Sequence, residues 1–423
     1  MKQKHHRMLC AFCALVILVS TVFPTAAFAE QPVDAAAAEQ TLTRADAAEM
    51  QQADAAVTAL TEGEQYQEMD TDARKDAALA QLDTLAAKGL VEKDSIYTDE
   101  ENGMVSFRYP CGVLGGILLT EPEDETLDEE NAETETAANA LPLRLPPDLG
   151  AEMQKSRAAL LRRTENQAVE KFGTAVIYYA FDNTINSSRF PYYAYMQGFW
   201  SALGLETKIN IHVTVADLKK MGNYNVSVLS AHGSYYTYSY GKFLKRTRTE
   251  PIMLLTEEST FGKDLRYGFD LLAHRVIKVN GMYCVTSDFF RNAYKGGKLS
   301  NTIVYSETCE FLGVDGSEDN AMADALLSGG AQAVIGYVNN VYTVYSRSML
   351  WDTINHLIMG QNVGQALEHA KATYGEDDLI WYHAQGGRRP HAAASYAVLY
   401  GNSQAALHVP ESNRSMFSAD LAA

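Results

Sequence analysis

Two short, β-branched apolar runs in this chain each lead to a chemically reactive residue. The run at 226–231 ends at His232, and the run at 302–306 leads to Cys309. Short continuous apolar runs are typical of parallel strands that are buried on both faces of a sheet. Ligands of such sheets bind outside the carboxyl ends of the strands. If these two strands are neighbours, an imidazole and a thiol lie at the same edge of one sheet.

The segments around these runs alternate between strand and helix patterns. Strands are expected at about 174–181, 207–213, 224–230, 301–306, 331–337 and 394–400. Helices are expected at about 190–203, 217–221, 318–328, 343–359 and 362–373, with Ser317 as the N-cap of the third. This alternation predicts an α/β domain over residues 172–423, with a doubly wound, mostly parallel sheet.

The N-terminus has the pattern of a secretory signal peptide over residues 1–29. Basic residues precede an apolar run from Met8 to Phe23, and Ala27-Phe28-Ala29 supplies the small residues of a cleavage site. No later segment is long and apolar enough to cross a bilayer. The mature chain is therefore expected to be secreted, without a membrane span.

Charge and cysteine content narrow the class of protein further. The formal net charge is −18, which disfavours nucleic acid as a partner because its phosphates would be repelled. Only Cys111, Cys284 and Cys309 follow the signal peptide. Three cysteines cannot form a disulfide framework, so at least one free thiol is expected.

Composition also divides the chain before the large domain. Residues 30–119 are Ala-rich and helical at first and then strand-like, which predicts a small α+β region acting as a propeptide or accessory domain. Residues 120–150 form an acidic, Pro-containing linker, with nine carboxylates between Glu121 and Glu135. Residues 151–171 are interpreted as a basic linking helix.

Cys309 and His232 are the residue types of a nucleophile and its proton-transfer partner. A neighbouring imidazole favours the reactive thiolate and can protonate a leaving amine. The backbone N–H groups of Gly233 and Cys309 are candidate donors to an oxyanion. Because glycine lacks a Cβ atom, Gly233 would also let a substrate backbone approach closely. The alternative is a small core cysteine and a satisfied polar histidine, and these residues alone leave both interpretations open.

No metal site or other cofactor is predicted from the sequence. Neither His232 nor Cys309 has a second histidine, cysteine or carboxylate at ligand spacing. Four further histidines are interpreted as ordinary polar residues, namely His212, His274, His356 and His369.

Several segments, taken in order, are similar to one known family. Residues 225–234 match a strand that ends in His-Gly, and residues 303–310 match a strand that ends in a nucleophilic cysteine. Residues 323–336, 364–370 and 396–402 are similar to the segments that follow in gingipains and CHAT domains. The chain thus resembles the caspase-like (clan CD) cysteine peptidases, which also include caspases, legumain, metacaspases and clostripain.

The resemblance covers about residues 172–407 and implies the caspase-like fold. It also implies a Cys309–His232 dyad that hydrolyses peptide bonds in protein or peptide substrates. Some relatives require calcium, and no acidic loop in this sequence identifies a calcium site. The alternative is a catalytically silent caspase-like scaffold or binding protein at the cell surface.

In several branches of the family, the residue two positions before the nucleophile lines the pocket for the side chain that precedes the cut. That residue is Glu307 here. An acid at this position accompanies a preference for Arg or Lys in metacaspases and clostripain-like members, whereas legumain has an acid and prefers Asn. Cleavage after Arg or Lys is therefore expected, with a solvated strand-end carboxylate as the alternative for Glu307.

An enzyme that cuts after basic residues could process its own precursor. The 76 residues between His232 and Cys309 include a basic stretch with Lys245, Arg246 and Arg248, and Arg163 follows a second arginine in the linking helix. These four residues are candidate autocleavage sites of a zymogen. The alternative is that the basic stretch is a solvated surface loop.

Overall fold

The computed structural model describes residues 41–119, 155, 169–181, 190–241, 244–379 and 394–417. The predicted signal peptide, the acidic linker and nearly all of the predicted basic helix lie outside these residues. Contacts divide the chain into Met1–Thr41 and a second unit, Leu42–Ala423, which contains every helix and strand given below. In the described parts, no helix combines the length and the apolar character needed to cross a bilayer.

The helices and strands are numbered in chain order. The helices are α1 (Arg44–Thr61), α2 (Glu64–Gln67), α3 (Thr71–Ala87), α4 (Phe190–Ala202), α5 (Val215–Leu218), α6 (Phe261–Leu272), α7 (Ser287–Ala293), α8 (Ala321–Ser328), α9 (Thr343–Ile358), α10 (Val363–Tyr374) and α11 (Glu411–Arg414). The strands are β1 (Tyr97–Asp99), β2 (Met104–Arg108), β3 (Leu114–Leu118), β4 (Gly173–Ala180), β5 (Leu205–Asn210), β6 (Val226–Ala231), β7 (Gly233–Tyr240), β8 (Arg246–Glu258), β9 (Val276–Val279), β10 (Met282–Thr286), β11 (Ile303–Ser306), β12 (Gly313–Val314), β13 (Ser317–Glu318), β14 (Ala333–Val338) and β15 (Tyr396–Gly401).

Six strands form a mostly parallel sheet in the order β5-β4-β6-β11-β14-β15. The first five are parallel, and β15 is antiparallel to β14 at the edge. All residues of β6, β11 and β14 are buried, because helices cover both faces of the sheet. Helices α4, α9 and α10 belong to the core on one face, and α5, α7 and α8 to the core on the other. The predicted α/β class with a mostly parallel sheet is confirmed.

A second sheet joins two regions that are far apart in the sequence. Its order is β1-β2-β3-β9-β10-β8-β7, so strands from residues 97–118 continue into strands from residues 233–286. The junction is the parallel pair β3–β9, in which Gly115 lies opposite Lys278. The N-terminal α+β region thus does not pack as a unit apart from the rest of the chain. Its role as a propeptide stays a prediction.

A buried ionic network ties the N-terminal helix α1 to this second sheet. Lys278 on β9 forms ion pairs with Asp54 of α1 and, at 2.9 Å, with Asp264 of α6. The Tyr109 hydroxyl donates to Asp54, and the Tyr283 hydroxyl donates to Asp264 at 2.7 Å. The Lys278 ammonium is fully buried, so it needs a carboxylate partner inside the fold, and Asp54 and Asp264 both supply one.

The start of α8 differs from the sequence-based expectation. Ser317 does not cap this helix; it lies in the short β12–β13 hairpin, and α8 begins at Ala321. Asp315 and Gly316 between the two strands both have positive φ, 51° and 74°. Asp-Gly is the favoured pair for the tight turn of such a hairpin, so a local turn preference takes Ser317 out of the helix.

Candidate active site

The chain passes from the parallel sheet to the second sheet at His232. Ala231 pairs with Ala180 in the parallel sheet, and Gly233 pairs with Met253 in the second sheet. The His232 imidazole is half-buried and meets the ring of Phe181 edge to face, with centroids 4.8 Å apart. His232 therefore lies where the two sheets meet, at the carboxyl end of β6.

Cys309 follows the strand next to β6. Ser306 of β11 pairs with Leu229 of β6, and the Glu307 N–H continues this pairing with a 2.7 Å hydrogen bond to the Leu229 carbonyl. The expectation that the two strands are neighbours is confirmed. Cys309 itself is half-buried, two residues beyond that last hydrogen bond.

Gly233 packs directly against the backbone of Cys309. A Cβ atom placed on Gly233 would lie 2.1 Å from the Cys309 carbonyl oxygen and 2.5 Å from Cγ2 of Thr308. Real Cβ atoms do not approach other atoms this closely, so the position requires glycine. The reason expected from the sequence for a glycine at position 233 is the close approach of a substrate backbone. The structure gives a different reason, which is contact between the chain's own two strand ends.

The backbone N–H of Gly233 points away from strand β8. The carbonyl of His232 accepts a 2.9 Å hydrogen bond from the Leu254 N–H on β8. Because a trans peptide group is planar, the N–H of Gly233 in the same group points the opposite way. β7 is the edge strand of the second sheet as the described residues form it, so among them no further strand of that sheet takes this N–H. Gly233 thus keeps a donor near Cys309.

The loop after β14 contributes a donor to the thiol. The Val341 N–H lies 3.4 Å from Sγ of Cys309, and Sγ lies 3.8 Å from the Val341 carbonyl oxygen. The N–H hydrogen bond favours the nucleophilic thiolate, whereas the hydrogen bond that the thiol donates to the Val341 carbonyl favours the neutral thiol. Nothing in the local sequence identifies Val341, because its contribution comes from backbone atoms.

A buried carboxylate holds this loop in place. Asp378 accepts hydrogen bonds from the N–H groups of Tyr342 at 3.0 Å and Ser395 at 2.9 Å. The Asp378 side chain is fully buried. Its two hydrogen bonds link Ser395, just before β15, to Tyr342, which follows Val341. Asp378 was not among the predicted site residues. Its only local signal is a carboxylate in the acidic stretch 376–378 that follows the predicted helix at 362–373.

The turn after Cys309 has a left-handed residue. Glu310 has a φ of 54°, and its N–H donates to the Asn339 carbonyl at 3.0 Å. Residues other than glycine seldom adopt this conformation, and such strain is often found at functional sites. The carboxyl of Glu310 is buried, and burial together with the nearby charge of Asp315 raises its pKa to about 7.

Glu307 is a buried carboxyl rather than a solvated one. It is 4% exposed and accepts hydrogen bonds from the hydroxyls of Tyr193 at 3.0 Å and Ser346 at 3.4 Å. Burial raises its pKa to about 7, against the opposing influence of the Arg347 guanidinium. The solvated alternative for Glu307 is therefore wrong. Its predicted role in substrate selection stays a prediction.

The candidate autocleavage residues differ in accessibility. Lys245 and Arg246 are exposed where β8 begins, whereas Arg248 is half-buried within the β7–β8 ladder, opposite Tyr238. Arg248 also lies 3.3 Å from a carboxylate oxygen of Asp288. A peptidase needs an accessible extended backbone, so Lys245 and Arg246 suit cleavage better than Arg248. Arg163 lies outside the described residues.

Of the histidines interpreted as ordinary polar residues, His274 joins the two parts of the second sheet. The Nε2 atom of His274 lies 3.1 Å from the Gly112 carbonyl oxygen. Burial lowers the pKa of this imidazole to about 4, so it is neutral at pH 7. His212 is exposed at the end of β5.

No protein-family model matches the chain, and no curated protein is found to be similar to it.

Proposed function

We propose that this protein is a secreted cysteine endopeptidase of the caspase-like type, made as a precursor. The observation that carries the proposal is the contact between Gly233 and Cys309. It brings the ends of two neighbouring parallel strands together, with an imidazole on one and a thiol on the other. A half-buried thiol, an N–H donor at its sulfur and a histidine on the adjacent strand are the parts that a cysteine nucleophile needs.

In the proposed reaction, the Cys309 thiolate attacks the carbonyl carbon of the scissile peptide bond and forms a C–S bond. The tetrahedral oxyanion accepts hydrogen bonds from the N–H groups of Gly233 and Cys309. The C–N bond then breaks, and the His232 imidazolium gives its proton to the leaving amine. Water hydrolyses the thioester and restores the thiol. The orientation of the His232–Gly233 peptide group supports the role of the Gly233 donor.

Cleavage after Arg or Lys is the proposed specificity, with Glu307 as the residue that selects a cationic side chain. The position of Glu307, two residues before Cys309, supports this, because a carboxylate beside the nucleophile can pair with a guanidinium or an ammonium. Its hydrogen bonds to Tyr193 and Ser346 support a second role, in which the carboxyl holds the end of β11 against α9. The two roles differ in which substrates lose activity when the charge is removed.

Self-processing at Lys245 or Arg246 belongs to the same proposal. Lys245 is exposed just before β8, and Arg246 is exposed at the first position of β8, opposite Tyr240 of β7. Strand β7 begins at Gly233. A cut there would free the far end of β7, the strand that follows His232. The two resulting chains would stay associated, because β3 and β6 of the first remain paired with β9 and β11 of the second.

The test uses the secreted chain from residue 30 onward beside its Cys309→Ala variant. Both are given fluorogenic peptides that differ only in the residue before the cut, which is Arg, Lys, Asn or Asp. Cleavage by the parent alone supports the peptidase, and the preferred residue gives its specificity. If neither protein cleaves any peptide, even after limited trypsin treatment, the proposal fails and the binding-scaffold alternative is favoured.

A further inference from the structure

A cluster of two imidazoles and one carboxylate lies on helices α9 and α10. Asp352 and His356 are four residues apart on α9 and so share one face of that helix. His369 reaches the same place from α10. One ligand atom of each residue lies within 4.8 Å of the other two. Within the described part of the chain, no other three residues of His, Cys, Asp or Glu form such a group.

The distances in this cluster are close to those of a metal centre. Nδ1 of His369 lies 2.7 Å from Oδ2 of Asp352, and Nε2 of His356 lies 3.8 Å from Oδ1 of Asp352. Ligand atoms about 2.1 Å from a tetrahedral ion lie roughly 3.4 Å from one another. The two observed separations differ from this value by roughly 0.7 and 0.4 Å, which rotation about the side-chain torsions can supply.

We propose that Asp352, His356 and His369 bind one divalent transition-metal ion of the zinc type. Imidazole nitrogen suits Zn²⁺ and its neighbours, whereas Ca²⁺ and Mg²⁺ prefer shells made of oxygen. Two nitrogens and one carboxylate oxygen are three ligands, which leaves a coordination position for water. The His369 side chain is 46% exposed, so that position opens to solvent and the ion can enter and leave.

This ion would be structural with respect to the proposed peptidase. The first turn of α9 contacts the candidate active site, since the Ser346 hydroxyl donates to Glu307. Asp352 and His356 lie six and ten residues further along the helix, roughly 9 and 15 Å away at 1.5 Å per residue. A metal at this distance does not touch Cys309 or His232. It would instead cross-link α9 to α10 and stabilise the helix pair.

The competing explanation is a metal-free network in which Asp352 only orients the two imidazoles. The ring centroids of His356 and His369 lie 3.7 Å apart with the ring planes tilted by 34°, and the carboxylate lies within 4 Å of a nitrogen of each ring. The two explanations differ in one measurable property, which is whether zinc binds at a defined stoichiometry that depends on His369.

The experiment uses the full mature chain with Cys309→Ala, so that the reactive thiol does not bind the probe. After treatment with a chelator, Zn²⁺ alone is titrated in competition with a chromogenic chelator. The expected result is one tight zinc equivalent per chain, with a rise in melting temperature. Adding His369→Ala should weaken binding at least about 100-fold, because even substitutions outside the ligand shell cost 10–100-fold.

His408→Ala is the matched control, because His408 is also exposed and lies outside the cluster. It should keep both the zinc equivalent and the thermal shift. Circular dichroism checks that the His369→Ala chain is folded, which its exposed position favours. The proposal is overturned if the parent binds no tight zinc, or if His369→Ala binds zinc as tightly as the parent does.

Discussion

Gly233 and Cys309 lie so close together that no side chain fits between them. The space for a Cβ atom on Gly233 is taken by the Cys309 carbonyl oxygen, 2.1 Å from where that atom would be. The contact joins the two sheets, because Gly233 begins β7 and Cys309 follows β11. Any change in the separation of these residues would also move the His232 imidazole relative to the thiol.

Replacing Gly233 with alanine should therefore abolish peptidase activity and destabilise the fold. Relief of the clash must displace the Thr308–Cys309 backbone, and overpacking of this kind costs about 1–3 kcal/mol. We expect activity to fall at least about 100-fold, because a displacement of 1 Å can cost that much. Peptide hydrolysis and chemical unfolding measure the two effects.

Gly262→Ala is the control for that substitution. Gly262 lies in α6, and a Cβ atom placed there has nothing within 4 Å. Alanine also favours a helix over glycine, so stability should stay the same or rise by up to about 1 kcal/mol. Equal activity losses in the two variants would contradict the assignment of Gly233 to the site.

Cys309 should be the most reactive of the three free thiols in the folded protein. Burial raises the pKa of the Cys284 thiol, and burial also raises the pKa of Cys111. Iodoacetamide at pH 6 should alkylate Cys309 first, and His232→Ala should slow this by roughly 10- to 100-fold through loss of thiolate. Peptide mass mapping over time measures the rates. Faster modification of Cys111 in the native state would contradict the prediction.

Sequence patterns identified the parallel sheet because its strands are continuous apolar runs. The β6 and β11 runs are fully buried, and each leads to one residue of the candidate dyad. The sequence left the adjacency of the two strands as a condition, and their observed pairing meets it. The strand ends that carry the candidate site were thus predictable, although the residues that support it were not.

The second sheet could not be predicted in the same way. Its central pair joins β3 to β9, about 160 residues apart, and no local pattern specifies such a partner. The β3 strand contains Gly115 and Gly116, which weaken any strand signal. Burial was equally hidden for Glu307 and Asp378, since the polar partners that make a buried carboxyl tolerable come from distant segments.

Glu307→Gln separates the two roles proposed for that residue. If the carboxylate selects cationic side chains, hydrolysis after Arg and Lys should fall by about 10²-fold or more, because a buried charge-assisted pair is lost. Hydrolysis after uncharged residues should then change little. If Glu307 only holds Tyr193 and Ser346, all substrates should lose activity by a similar factor. Comparing kcat/KM across the peptide panel decides between these outcomes.

The buried Glu250 on β8 should make stability depend on pH. Burial raises its pKa from 4.5 to about 7, so the folded state holds a proton that the unfolded state has already released. This contribution to stability is complete below pH 4.5 and is lost as the pH rises through about 7. At pH 8, Glu250→Gln should therefore be more stable than the parent, by on the order of 1–3 kcal/mol.

Urea unfolding of both proteins from pH 4.5 to pH 8 measures this difference in the free energy of unfolding. The difference should be near its minimum at pH 4.5 and grow with pH. Since the other titrating groups are shared, their effects largely cancel in the comparison. A difference that stays constant with pH would show that Glu250 does not titrate in this range.

Lys278→Met should unfold the junction between the N-terminal region and the second sheet. The variant leaves Asp54 and Asp264 buried without their cation, which typically costs about 3–5 kcal/mol. Lys93→Met is the control, because it removes an exposed ion pair. The side chains of Lys93 and its partner Asp83 are 74% and 61% exposed. That control should lose no more than about 1 kcal/mol, because exposed ion pairs contribute little.

Hydrogen exchange locates the effect of Lys278→Met within the fold. Because Lys278 lies on β9 and pairs with the last N-terminal strand, protection should fall first in β3 and β9. The parallel sheet should keep its protection, since the substituted side chain belongs to the other sheet. Uniform loss in both sheets would mean that the N-terminal region cannot loosen alone, and its release as a propeptide would then require global unfolding.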